Sequence, residues 1–149
     1  MPSWSLPVLT AAVLSLALAL PASARDCSDL SGDWTTNLGA TVRFDKVDAA
    51  TGMISGRYFS ASAPERAFPL TGFYNANGRE EPTDKQRHYG AAVSFAVSFA
   101  EFGGITSWNG ICVMNGDLPQ IETEDLIIAP MADYDWSHVI DNHDTLKAK

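Results

Sequence analysis

Between positions 91 and 99 the chain alternates strictly. Val93, Phe95, Val97 and Phe99 fall on one face, and Ala92, Ser94, Ala96 and Ser98 on the other. A period of two places side chains on opposite sides of an extended strand, here with one large apolar face and one small face. Similar short segments recur along the chain, bounded by Gly, Pro, Asn and Asp, with little helical periodicity. They predict eight strands, near Gly32–Thr36, Thr41–Val47, Met53–Ala61, Phe68–Tyr74, His88–Phe99, Ile105–Met114, Gln120–Ala129 and Trp136–Leu146. Between them, Asp48-Ala-Ala-Thr-Gly52 offers a glycine at a left-handed position, and Asn77-Gly78 and Asn115-Gly116 suit tight turns. Pro64, Pro82 and Pro119 are expected outside strand interiors, because proline cannot donate to a ladder. There is no repeat, low-complexity stretch or linker. Eight successive strands without crossover helices predict an all-β fold, an antiparallel up-and-down barrel with an interior that fits one small ligand.

The start of the chain reads differently. Val8 to Leu20 is an apolar run, Pro21 breaks it, and Ala22-Ser23-Ala24 has the small-x-small form of an export cleavage site. Residues 1–24 are therefore expected to be a signal peptide and 25–149 the domain, a secreted protein. All 18 acidic and 10 basic residues lie in that domain, giving a formal charge of −8. An acidic surface repels phosphate backbones and anionic lipid, so neither nucleic acid nor membrane is an expected partner. Glu80-Glu81 and Asp133/Asp135 are expected to be solvated loop acids. In an oxidising compartment the pair Cys27 and Cys112 favours a disulfide over free thiols or a metal site.

Several polar and aromatic side chains share inward-facing candidates. Tyr58 and Ser60 lie on one face of the third segment, Thr106 and Trp108 on one face of the sixth, and Trp136 and Asp144 share parity on the eighth. Aromatic walls with a few hydroxyls and a carboxylate suit an apolar pocket with oriented polar groups, and equally a packed core. His138 and His143 have opposite parity on the same segment, which disfavours a metal cluster with Asp141 and Asp144. His88 has no acid–base partner and no serine sits in a nucleophile-elbow context, so no catalytic constellation emerges.

In order along the chain, Trp34-Thr-x-Asn-Leu-Gly39, Gly56-Arg-Tyr58-Phe-Ser60, Pro69-Leu-Thr-Gly72, Thr106-Ser-Trp108-Asn-Gly110, and Trp136 followed by His143-Asp-Thr145 resemble the successive strands of the avidin/streptavidin family. Cys27 and Cys112 fall where animal avidins place their disulfide. The resemblance implies a secreted, non-catalytic biotin-binding barrel that acts by sequestration, with no cofactor beyond the bound ligand, assembled as a homotetramer or homodimer. It assigns Tyr58 and Ser60 as donors to the ureido oxygen and Asp144 as acceptor of a ureido N–H. Thr106 would face the ring sulfur, Phe95 and Trp108 would wall the bicyclic ring, and Trp136 would close a neighbouring subunit's site.

The departures are specific. Thr36 stands where the family has an Asn donor to the ureido oxygen, Ala40 where it has a Ser donor, and Gly104 where it has a Ser near the ligand's tail. By strict counting Asp125 stands where a pocket Trp is expected. A one-residue slip would turn Leu126 inward instead and Asp125 to solvent, and both registers are compatible with the pattern. The alternatives are a barrel of this kind that has lost tight biotin binding and works through its surface, or an inhibitor of exported proteases. The short Arg25-Asp-Cys27 segment before the disulfide disfavours the latter.

Overall fold

The computed structural model describes Met1, residues 26–76 and residues 90–149. The apolar leader with its Ala22-Ser23-Ala24 step, Arg25, the Asn77-Gly78 turn, Glu80-Glu81, Pro82 and His88 lie outside the described residues. Eight strands follow one another: β1 (Gly32–Thr35), β2 (Thr41–Val47), β3 (Met53–Ser60), β4 (Ala63–Asn75), β5 (Ala91–Phe99), β6 (Gly104–Asn115), β7 (Leu118–Ile128) and β8 (Val139–Ala148). Each pairs antiparallel with the next, and β8 returns to β1, closing the barrel. The seam is short, with Trp34 opposite Ala148 and Thr35 opposite Lys147. The backbone N–H of Lys149 extends it by donating to the Asp33 carbonyl at 3.0 Å.

The turns follow the expected chemistry. Gly52 takes φ +73° and Gly116 φ +63°, and the Asp48 carboxylate accepts from the N–H groups of Ala50 and Thr51 at 2.9 and 3.1 Å. Three expectations are corrected. Strand β4 begins at Ala63, so Pro64 sits inside it, one residue from its start, and Pro119 likewise is the second residue of β7. Proline is tolerated at a strand's end, where a ladder donor is dispensable. The eighth strand begins at Val139 and not at Trp136, because Asp135–His138 forms a short 3-10 helix. Trp136 is therefore not on the strand that carries Asp144, and parity does not relate them.

Alternation decides what fills the barrel. In β5, Ala91, Val93, Phe95 and Val97 are buried while Ala92, Ser94 and Ser98 are exposed. The same period runs through β6 and β7, which puts Thr106, Trp108 and Cys112, then Ile121, Thr123 and Asp125, inside. Gly110 is needed between two of these strands, since a Cβ there would collide with the Glu122 carbonyl. One end of the barrel is plugged by the segment before β1. Leu30 is wholly buried, the Trp34 indole donates to its carbonyl at 2.8 Å, and the Tyr74 hydroxyl donates to the Ser28 carbonyl at 2.7 Å.

Cys27, in that plug, is disulfide-bonded to Cys112 on β6 across 85 residues, with both sulfurs buried. Closing a loop of that length removes denatured-state freedom equivalent to about 4–5 kcal/mol in the chain-entropy model. Replacing both cysteines by alanine is expected to lower unfolding stability by about 2–5 kcal/mol. Urea titration followed by tryptophan fluorescence measures this; an unchanged midpoint would show that the plug holds without its staple.

Candidate functional site

The interior is lined by rings from successive strands. Trp34 of β1 meets Phe44 of β2 edge-on at 6.4 Å between centroids, and Phe44 meets Phe95 of β5 at 5.4 Å. Phe95 stacks on Trp108 of β6 at 5.1 Å and 13°. Tyr58 of β3 then tilts against Trp108 at 5.6 Å and meets Phe99 edge-on at 5.7 Å. The series runs from the plugged end to the other, where a cavity of about 380 Å³ opens between Tyr58, Ser60, Phe99, Gly104, Thr106 and Ile127. A pocket of that size, mostly apolar with a few hydroxyls, suits a small organic ligand.

Polar groups punctuate this column. Tyr58, Ser60 and Thr106 lie at the cavity. Ser60 is hydrogen-bonded to the Ser62 hydroxyl at 3.0 Å, beside a register shift between Phe59 and Ser60. Burial first, and then the charges of Asp144 and Asp125, raise the Tyr58 phenol, so it remains a protonated donor well into alkaline solution. The turn between β1 and β2 supplies further polar contacts. The Asn37 backbone N–H donates to Asp144 Oδ1 at 2.8 Å, and Thr36 Oγ1 accepts the Ala40 N–H at 3.1 Å. Thr36 and Ala40 are both buried. The Asn-Leu-Gly39 turn, with Gly39 at φ +81°, thus holds the carboxylate of a strand 107 residues further along.

Nine of the ten candidates named from sequence fall into four places. Tyr58, Ser60 and Thr106 converge on the cavity, Phe95 and Trp108 stack in the buried aromatic series that leads to Tyr58, and Asp144 and Thr36 lie by the first turn. Cys27 and Cys112 form their disulfide at the plugged end. Trp136 joins none of these. It is 77% exposed on the β7–β8 connection, stacked on Tyr134 at 4.6 Å and 8°. Two further residues belong to the site. Phe99 lines the cavity, and β5 alternation already placed it inward. Thr123 is 2% exposed and donates to the Asp144 carbonyl at 3.1 Å; alternation through Ile121 and Asp125 marks it in the same way.

The histidines are used elsewhere. His138 Nδ1 lies 2.7 Å from the Ala129 carbonyl, and His143 faces outward between Glu122 and Glu124 at 3.4 and 3.0 Å. Among the described residues no three His, Cys, Asp or Glu side chains gather as a metal site.

The register of β7 is the strict one. Asp125 pairs with Trp108 on one side and Asn142 on the other. It is 3% exposed, while Leu126 faces solvent. Burial first, and then the Asp144 charge, push its carboxyl above the usual range, against a 3.3 Å hydrogen bond from Asn142. The unfolded chain releases this proton at the ordinary value, and the folded barrel only at a higher pH. The resulting destabilisation is absent below the ordinary value, sets in above it, and is complete above the raised one. Asp125→Asn is expected to raise the melting temperature near neutral pH by roughly 4 °C, equivalent to about 1 kcal/mol. The gain should vanish below about pH 4. Thermal melts of both proteins across pH check it; a gain that persists in acid would point to packing and not charge.

The Avidin family model matches residues 24–149. No curated protein matches the chain.

Proposed function

Since this chain belongs to the avidin family, with nearly its whole length matched, we propose that it binds biotin, or a closely similar small molecule, inside its barrel and holds it without catalysing a reaction. The observation that carries the reading is that one aromatic-lined interior holds the Tyr58, Ser60 and Thr106 hydroxyls at the cavity and an inward Asp144 carboxylate, which the Asn37 N–H orients and whose charge acts on the Tyr58 phenol. A planar urea matches that set. Its oxygen accepts from Tyr58 and Ser60, an N–H donates to Asp144, and its ring system is covered by Phe95 and Trp108. Charge-assisted bonds gain strength where water is excluded. The role is then sequestration by a secreted protein, processed after Ala24, and a mature N-terminus at Arg25 in the exported form would support this.

Trp136 fits a role in trans. A large ring left on the outside of its own barrel is suited to closing the mouth of another copy, so a homodimer or homotetramer is part of the reading. The departures at Thr36, Ala40, Gly104 and Asp125 reduce the donors and apolar walls available to biotin. They favour weaker binding than the full family pattern provides, and they motivate the second reading, a barrel that works through its surface.

Isothermal titration of the mature protein with biotin is expected to saturate at one site per subunit with a sub-micromolar constant. A folded protein that gives no saturation and is not retained on biotin-agarose rejects the reading in favour of the second. Tyr58→Phe removes one hydrogen bond worth about 1–1.5 kcal/mol and should weaken biotin about tenfold. Trp136→Ala should speed biotin release by up to about tenfold, the size of one lost aromatic contact. An unchanged release rate in stopped flow, with the oligomer intact by light scattering, would remove Trp136 from the site.

A further inference from the structure

Two carboxylates share this interior. Asp125 and Asp144 are 3% and 5% exposed. In the β7–β8 register Asp125 faces Asn142 and Thr123 faces Asp144, so the two acids are diagonal neighbours on one wall. Among the described residues neither is ion-paired. Asp144 Oδ1 receives the Asn37 N–H, and Asp125 Oδ1 receives a 3.3 Å bond from Asn142. A buried charge is costly unless a partner compensates it, and two on one wall repel as well. Single hydrogen bonds from a carboxamide and from a backbone N–H compensate that charge only in part.

A second, independent feature points the same way. Trp108, directly opposite Asp125 in the β6–β7 register, is 4% exposed, and its indole N–H is buried with no hydrogen-bond partner. A buried donor without an acceptor is rare in folded proteins. The Thr106–Ile127 pair at the cavity lies one inward layer above the Trp108–Asp125 pair, so a ligand entering from the mouth meets this wall next.

We propose that the barrel prefers a small ligand with a cationic N–H edge, an amidinium or guanidinium, and that Asp125 is the residue that sets this preference. The cationic edge bridges Asp125 and Asp144 with forked N–H bonds, for which planar amidinium geometry is suited. The flat body of the ligand lies among the aromatic rings, and an acceptor on it satisfies the Trp108 indole. A neutral headgroup gives Asp144 its N–H but leaves the Asp125 charge uncompensated. The inference rests on the barrel interior being the ligand site, and it does not require biotin to be the ligand.

A matched pair of probes isolates the charge: benzamidine, a flat amidinium, and benzamide, its neutral counterpart. Titrated into the mature protein near neutral pH, benzamidine is expected to bind at least about tenfold tighter, a difference of about 1.4 kcal/mol. Benzamidine has no acceptor for the Trp108 indole, but its ring current among the aromatic rings should shift the Trp108 indole N–H signal. In Asp125→Asn the two affinities should converge to within about threefold, chiefly through loss of benzamidine binding. Asp125→Glu, which keeps the charge, should retain the preference, and thermal melts show that each variant is folded. Equal binding of the two probes by the wild type, or an unchanged ratio in Asp125→Asn, overturns the inference. A parallel biotin titration separates the two readings. Saturation by biotin with no cation preference removes this inference alone, cation preference without biotin binding removes the biotin reading alone, and binding of neither removes both.

Discussion

The closure of β8 onto β1 is the constraint on which the remaining structure depends. Only two residue pairs and one flanking hydrogen bond form that seam, yet once it is made every strand has two neighbours and no edge remains. Closure also converts the two faces of each strand into an inside and an outside. The inside of an eight-stranded barrel is only wide enough for one layer of side chains or one small ligand. Residues far apart in sequence, such as Asn37 and Asp144, are thereby forced into contact.

The ends of the barrel are made unequal by the segment before β1. Leu30, Cys27 and the indole of Trp34 close one end, and the disulfide to Cys112 fixes that plug to β6. The aromatic series from Trp34 through Phe44, Phe95 and Trp108 fills the middle. The cavity lies toward the other end, where Gly104 and Ser60 present little side-chain volume beside the Tyr58–Phe99 ring pair. The depth of the site is thus set by how far the core extends from the plug. Its polarity is set by which strands contribute hydroxyls and carboxylates to the top layers.

Much of this was legible in the chain. The alternation of Val93, Phe95, Val97 and Phe99 named both the strand and its inward face, because apolar burial on one side of a sheet imposes a period of two. Gly52 and Gly116 marked turns that need positive φ, and the cysteine pair announced the staple. Trp136 lies off β8, although an apolar aromatic just before a good strand extends the alternating pattern. The local hydrogen bonds of Ser137 with Tyr134 instead wind that stretch into a 3-10 turn. Pro64 and Pro119 were misread for a related reason: a proline weakens a strand's interior but not its first residues, and sequence does not show where a strand starts.

The sequence by itself determined the all-β class, the number and order of strands, the disulfide partners and the set of inward candidates on β3, β5 and β6. Each of these follows from local periodicity or from chemistry confined to a few residues. The tertiary structure alone decided the register of β7. Glu124-Asp-Leu-Ile-Ile128 has no clean alternation of its own, so either parity satisfies it locally. Pairing of β7 with β6 along its whole length, from Leu118 opposite Asn115 to Ile128 opposite Ile105, admits only one parity. That pairing carries Asp125 inside, to face Trp108 and share a wall with Asp144, because a strand fixed on both sides cannot slip by one residue without breaking both ladders.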